Sequence, residues 1–213
     1  MNNREEEFKQ IIEKIRKHRE LYGRSEMAVR EQIVTPILRC LGWNPENPDE
    51  VQPNVSSEEG IPDYSLFKNG DKILFVEVKN LNVNIKEQKI ISQLMKYSSS
   101  EGKEYGVLTN GALWLLIKTF EKDTTYIERI VLEIDLENEE LPAVMRKIAT
   151  ISKMNIGQIE TLVKKVQILD EIWQYLIDEP EEMIRGLMPV VKSLISKDYP
   201  NYCFEDSEIE GEF

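Results

Sequence analysis

The chain has 213 residues, 41 % of them hydrophobic and 31 % charged. That is ordinary globular composition, enough for one sizeable core with or without a small appendage. Thirty-nine acids against 27 lysines and arginines give a formal charge of −12, which argues against a basic nucleic-acid coat. Cys40 and Cys203 are too few and too far apart for a disulfide framework or a cysteine zinc cluster. One histidine, His18, excludes a histidine-rich metal site. No apolar run is long enough to cross a bilayer, and the opening MNNREEEFKQ reads as neither a signal nor a transit peptide. A reduced, cytoplasmic protein with no membrane segment is expected.

Residues 4–22 place Phe8, Ile11, Ile12, Ile15 and Leu21 at helical spacing, with Gly23 as the C-cap. Ser25 then caps a second helix with Met27, Ile33, Val34, Ile37, Leu38 and Leu41 as its buried stripe. Pro36 predicts a kink there, and Gly42 closes the helix. Residues 44–60 read as loop with a short strand near 51–55. The period then changes to two. Residues 63–67 and 72–79 form a predicted hairpin around Asn69-Gly70-Asp71. Residues 86–99 return to helix. Strands follow at 105–109 and 113–119, joined through Asn110-Gly111, and at 126–134. From 136 to about 197 the pattern is helical, and a solvated acidic tail follows Tyr199. Cys40, Trp43 and Trp114 read as core, His18 as surface, and Trp173 as part of a helical packing stripe. The sum is an α/β core over 1–135 and a helical extension over 136–213, available to a second copy or a partner subunit.

The chemistry centres on Pro62-Asp63 and Glu77-Val78-Lys79. Alternation along the strand puts Glu77 and Lys79 on one face with Ile73 and Phe75. A three-residue loop over 69–71 would set Asp63 opposite Glu77. A two-residue loop would set it opposite Val76, on the wrong face. The three-residue loop with a bulge is the expectation. The bland alternative is a surface salt bridge on a half-exposed hairpin.

Two adjacent carboxylates repel unless a cation lies between them, and hard oxygen donors favour magnesium or manganese over zinc. With a lysine beside them, such parts suit phosphodiester hydrolysis. On the following helix, Gln93 and Tyr97 lie one turn apart beside Ile90 and Leu94. Gln93, on a mostly buried stripe, calls for a hydrogen-bond partner. Lys86, Lys89 and Lys96 flank that stripe, either as DNA contacts or as a solvated face. Residues 66–118 carry eight lysines, no arginine and five acids, a net +3 that leaves −15 on the rest of the chain.

The series Pro62-Asp63, Glu77-Val78-Lys79, Gln93-Leu94-Met95-Lys96-Tyr97 resembles the PD-(D/E)xK nuclease superfamily with its Q-x-x-x-Y extension. More narrowly, Glu26 to Arg30, Thr35 to Leu38, Leu41-Gly42-Trp43 and Gly106 to Gly111 with Trp114 are similar to the N-terminal nuclease domain of type I restriction enzyme R subunits and their stand-alone relatives. The resemblance covers about 20–135. It implies a restriction-endonuclease-like core, a mixed sheet with flanking helices, and a DNA endonuclease of restriction or anti-phage defence. Asp63, Glu77 and the Val78 carbonyl would bind Mg2+, or Mn2+. Lys79 would assist the attacking water, and Gln93 and Tyr97 would steady the site or the DNA. Glu26 would supply an acid from the early helix, with Glu31 as fallback. The chain has no GxxxxGK loop, so it carries no phosphate loop for an ATP-driven motor. The alternative is a catalytically silent nucleic-acid-binding or regulatory subunit of a restriction-type complex.

Overall fold

A computed structural model describes residues 3–54, 60–198, 200, 201 and 205. Cys203 and most of the acidic tail fall outside the described residues. The chain divides into two compact units, Met1–Val163 and Lys164–Phe213.

The first unit is built on one six-stranded mixed sheet. Its strands are β1 (Val51–Pro53), β2 (Tyr64–Lys68), β3 (Asp71–Val78), β4 (Tyr105–Thr109), β5 (Leu113–Lys118) and β6 (Ile130–Asp135). They lie side by side in chain order. Every neighbouring pair is antiparallel except β3 and β4. That parallel pair requires a crossover, which α5 (Gln88–Ser100) makes. Both faces of β3 are covered, with Leu74, Phe75, Val76 and Val78 all fully buried. Phe75 packs with Ile91, Leu94, Tyr97, Leu108, Leu115 and Ile117 in the core beneath α5.

The N-terminal helices are α1 (Asn3–Lys17), α2 (Arg19–Arg24), α3 (Glu26–Val29) and α4 (Thr35–Cys40), with a single π-helical segment, Arg30–Val34, between the last two. The helix expected over 4–22 is thus broken near His18. Phe8, Ile11, Ile12 and Ile15 are buried as anticipated, but Leu21 and Met27 are exposed, and Tyr22, Ala28 and Val29 take the inward positions. Gly23 is helical rather than a C-cap. It is glycine because the Asn82 side chain, which donates to its carbonyl at 3.1 Å, occupies the space a Cβ would need. Ser25 caps α3 as expected, accepting from the Ala28 N–H. The backbone stays helical from Glu26 to Cys40, and Pro36 follows just after the π-helical segment. It sits in the first turn of α4, where its missing N–H costs nothing. The wide turn just before it absorbs the change of period. Cys40 is only half-buried. Its thiol donates to Glu7 at 3.0 Å, and burial together with Glu7 pushes it up to about 12.

The hairpin corrects the loop expectation. Asn69 and Gly70 both have positive φ, 56° and 85°, and form a two-residue turn with Lys68 paired to Asp71. The register then shifts between Leu66 and Phe67, so that Leu66 faces Leu74 and Tyr64 faces Val76. The bulge at Ile73 restores the frame in which Asp63 falls opposite Glu77. The turn is shorter than expected, and the bulge further up the strand makes good the difference.

The first unit continues past residue 135 through α6 (Leu141–Ile148). There the buried Trp43 indole donates to the Ile151 carbonyl at 3.0 Å. The remaining helices are α7 (Ile159–Asp178) and α8 (Pro180–Asp198). On them Ile172, Trp173, Val190 and Leu194 are exposed. Trp173 is therefore not packed as its stripe suggested. No described helix is long and apolar enough to cross a membrane.

Gly111 closes the β4–β5 turn at φ 93°, and an added Cβ would stand 2.9 Å from Val29 Cγ1. Both the backbone and the packing reject a side chain there. Gly111→Ala is expected to cost about 2–4 kcal/mol, summing a left-handed residue and an overpacked contact. A urea unfolding series checks this, and an unchanged midpoint would contradict the packing described.

Candidate active site

β3 delivers its polar residues at the end where β2 has already stopped. Glu77 lies on the α5 face beside Leu108 of β4, and only 3 % of its surface is exposed. A carboxylate in that apolar setting needs partners. Lys79 Nζ donates to Glu77 Oε1 at 2.6 Å, and Gln93 Nε2 donates to the same oxygen at 3.1 Å. Gln93, one turn before Tyr97, is exposed and not buried as its stripe suggested, yet its amide reaches the Glu77 carboxylate. Burial raises the Glu77 pKa above the ordinary glutamate range, and the ammonium of Lys79 only partly offsets this. Lys79 is partly desolvated, which works against its charge. Its hydrogen bond to Glu77 and the charges of Glu77, Glu26 and Asp63 outweigh that, so it is held as ammonium.

Two buried atoms here have no hydrogen-bond partner among the described residues, Glu77 Oε2 and the Tyr97 hydroxyl. Burial raises the Tyr97 pKa, and the Glu77 charge raises it further. Tyr97 packs edge-on to Phe75, and Gly60 approaches its ring so closely that an added Cβ would sit 3.1 Å away.

Asp63 sits at the end of the β2–β3 ladder. Its Oδ2 accepts from the Val78 N–H at 2.7 Å, the next main-chain donor beyond the last paired residues. Its Oδ1 faces Arg30 Nη1 at 3.6 Å. Sequence reasoning gave Arg30 no role. Glu26 is exposed, and its carboxyl is raised by desolvation. The charge of Lys79 lowers it, that of Asp63 raises it and that of Arg30 lowers it, so it neighbours all three. Glu31 instead pairs with Arg30 at 3.2 Å and stays exposed. The structure therefore brings together Asp63, Glu77, Lys79, Gln93, Tyr97 and Glu26, and adds Arg30.

Of the three lysines on or near α5, Lys86 is paired with Glu133 at 2.7 Å. Lys89 and Lys96 are exposed and make no ion pair among the described residues. Much of the local positive charge is neutralised in the same way, by Glu101 on Lys72 and Glu121 on Lys118.

No three histidine, cysteine or acidic side chains cluster to form a ready metal cage among the described residues. Asp63 and Glu77 are the carboxylates at hand. Glu77 Oε2 meets no donor in full hydrogen-bonding geometry, although the Tyr97 hydroxyl interacts with this carboxyl. Two carboxylates and a main-chain carbonyl form a hard, incomplete donor set, which suits a cation that keeps several waters, as magnesium does.

A family model described as Type I restriction enzyme R protein N terminus (HSDR_N) matches residues 25–132. The chain belongs to that family. The match takes in every residue of the constellation from Glu26 to Tyr97 and stops at β6. None of the curated proteins matches. A solved structure, titled "Characterization and crystal structure of the type IIG restriction endonuclease BpuSI", is similar at 16 % identity with a TM-score of 0.42. The similarity covers 69 % of this chain and 17 % of that one.

Glu77 carries a testable stability cost. Its pKa is higher folded than unfolded, so the stability it contributes is present below the unfolded value and is lost as pH rises through the folded value. Glu77→Gln is expected to unfold at a higher urea concentration than the parent near pH 8, with the gap closing as the pH falls towards about 4. A parent more stable than the variant at the higher pH would show that ionised Glu77 supports the fold.

Proposed function

We propose that this chain is a metal-dependent DNA endonuclease that hydrolyses phosphodiester bonds, acting in the cytoplasm in restriction or another anti-phage defence. The observation that carries this reading is the convergence of Asp63, Glu77, Lys79 and Gln93 at one end of the sheet, within a restriction-enzyme family. A surface salt bridge needs neither a 3 %-exposed glutamate nor a second carboxylate beside it.

Asp63, Glu77 and the Val78 carbonyl would hold Mg2+, with Mn2+ as substitute, and the ion would supply Lewis-acid polarisation of the scissile phosphate. The remaining work falls to the protein. Lys79, kept cationic by its neighbours, cannot serve as a base near neutral pH. It acts as a donor, orienting the attacking water and opposing the negative charge that grows on the phosphate oxygens. Gln93 fixes the Glu77 carboxylate from the helix side. Tyr97 closes the apolar wall behind it and excludes water, and Glu26 adds negative charge at the rim. Lys89 and Lys96 would attract the DNA backbone. Residues 136–213 would meet a second copy or restriction and modification subunits.

The test is nicking of supercoiled plasmid with magnesium, manganese or EDTA, by parent and Lys79→Ala proteins of equal circular dichroism. The parent is expected to cut with either ion and not in EDTA. The variant is expected to be slower by about 100-fold or more, the scale of losing one transition-state donor. Equal cutting by both proteins, or cutting in EDTA, contradicts the reading.

A further inference from the structure

The Asp63 carboxylate is fixed from two sides. One oxygen takes the Val78 N–H, and the other faces a guanidinium from a different layer of the fold. That guanidinium is itself braced. Arg30 Nη1 donates to Asn54 Oδ1 at 3.0 Å, and Nε donates to Glu31 at 3.2 Å. Asn54, at φ 52°, returns its own N–H to the Asp63 carbonyl at 3.1 Å. Arg30, Asn54 and Asp63 therefore close a ring of side-chain and main-chain contacts.

A second tie joins the same two segments one residue further on. The Tyr64 hydroxyl donates to the Arg30 carbonyl at 3.3 Å and shares a 2.7 Å hydrogen bond with the Thr35 hydroxyl. These contacts meet the π-helical segment Arg30–Val34, whose wide turn aims Arg30. Such turns are rare and recur at functional sites. Arg30 is only 19 % exposed and Asp63 15 %, so the pair is shielded from most of the screening that weakens surface ion pairs.

We propose that Arg30 is a positioning residue for the nuclease site. Its guanidinium holds Asp63 in the orientation that lets it share a ligand with Glu77, and it does so through Asn54 as a strut. This rests on the nuclease reading above for its effect on cleavage, but its effect on Asp63 does not. A lysine would keep the charge but lose the planar guanidinium, whose Nη1 meets Asn54 and faces Asp63 while its Nε is held by Glu31.

The test combines the crystal structures of parent and Arg30→Met proteins with steady-state cleavage by Arg30→Met, Arg30→Lys and Asn54→Ala. In Arg30→Met, the Asp63 carboxylate is expected to leave the Val78 N–H. Its kcat is expected to fall tenfold or more while KM for DNA stays within threefold. Arg30→Lys should recover only part of that loss, and Asn54→Ala should lose in the same direction by less. Retention of the Asp63–Val78 contact in Arg30→Met with kcat within twofold of the parent overturns the proposal. So does a tenfold rise in KM alone, which would make Arg30 a DNA contact. If the parent cuts no DNA, the nuclease reading falls, while the position of Asp63 in the Arg30→Met crystal still decides the role of Arg30.

Discussion

Everything at this site answers to one desolvated negative charge. Glu77 stands at the end of β3, on the apolar side of the sheet, where ionisation is costly. The fold tolerates it through a short contact to Lys79 and a second donor from α5. It leaves the other carboxylate oxygen without a partner. Burial without complete satisfaction is what a stable core avoids, and it is the feature the proposed cation site would use. The same charge sets its surroundings. It keeps Lys79 protonated, it raises Tyr97, and it makes the nearby Asp63 a second acid that must be held by other means.

Those means come from the turn and the helix layer. Asp63 does not reach the site through ladder pairing alone, since β2 begins at Tyr64. Its carboxylate takes a main-chain donor in place of the missing strand, and the helical run from Glu26 to Cys40 braces it from outside. The geometry of the site depends on a joint between layers, more than on either layer by itself.

Much of this was legible in the sequence, for physical reasons. Period-two runs marked all the central strands, and a helical period between two of them implied the parallel crossover. Asp63, Glu77 and Lys79 could be placed on one face because side-chain alternation is rigid. The register nearest the site, Tyr64 with Val76, was read correctly through a wrong turn, because local turn chemistry and a bulge further up the strand have opposite effects on register and only their sum matters. Gln93 was singled out as a polar residue on a buried stripe; it is in fact exposed, and only its amide reaches in to Glu77. Arg30 was missed because its role depends on contacts to Asn54 and Asp63, far along the chain, and no local pattern encodes them. The breaks near His18 and at the π-helical turn were invisible for a related reason. Apolar spacing tolerates both, and packing alone selects them. Met27 and Leu21 fit the helical period yet face outward. In α7 and α8 the period was right, but it could not say which apolar residues would be covered. Trp173 and Leu194 remain exposed there.

The most direct test of the central claim is anomalous scattering from a crystal of the parent protein soaked in manganese. The account predicts one peak at about 2.1 Å from Glu77 Oε2 and from an Asp63 carboxylate oxygen, with Lys79 drawn off Glu77 to make room. Full-strength density for Lys79 still on Glu77, with no peak between the two carboxylates, would contradict it.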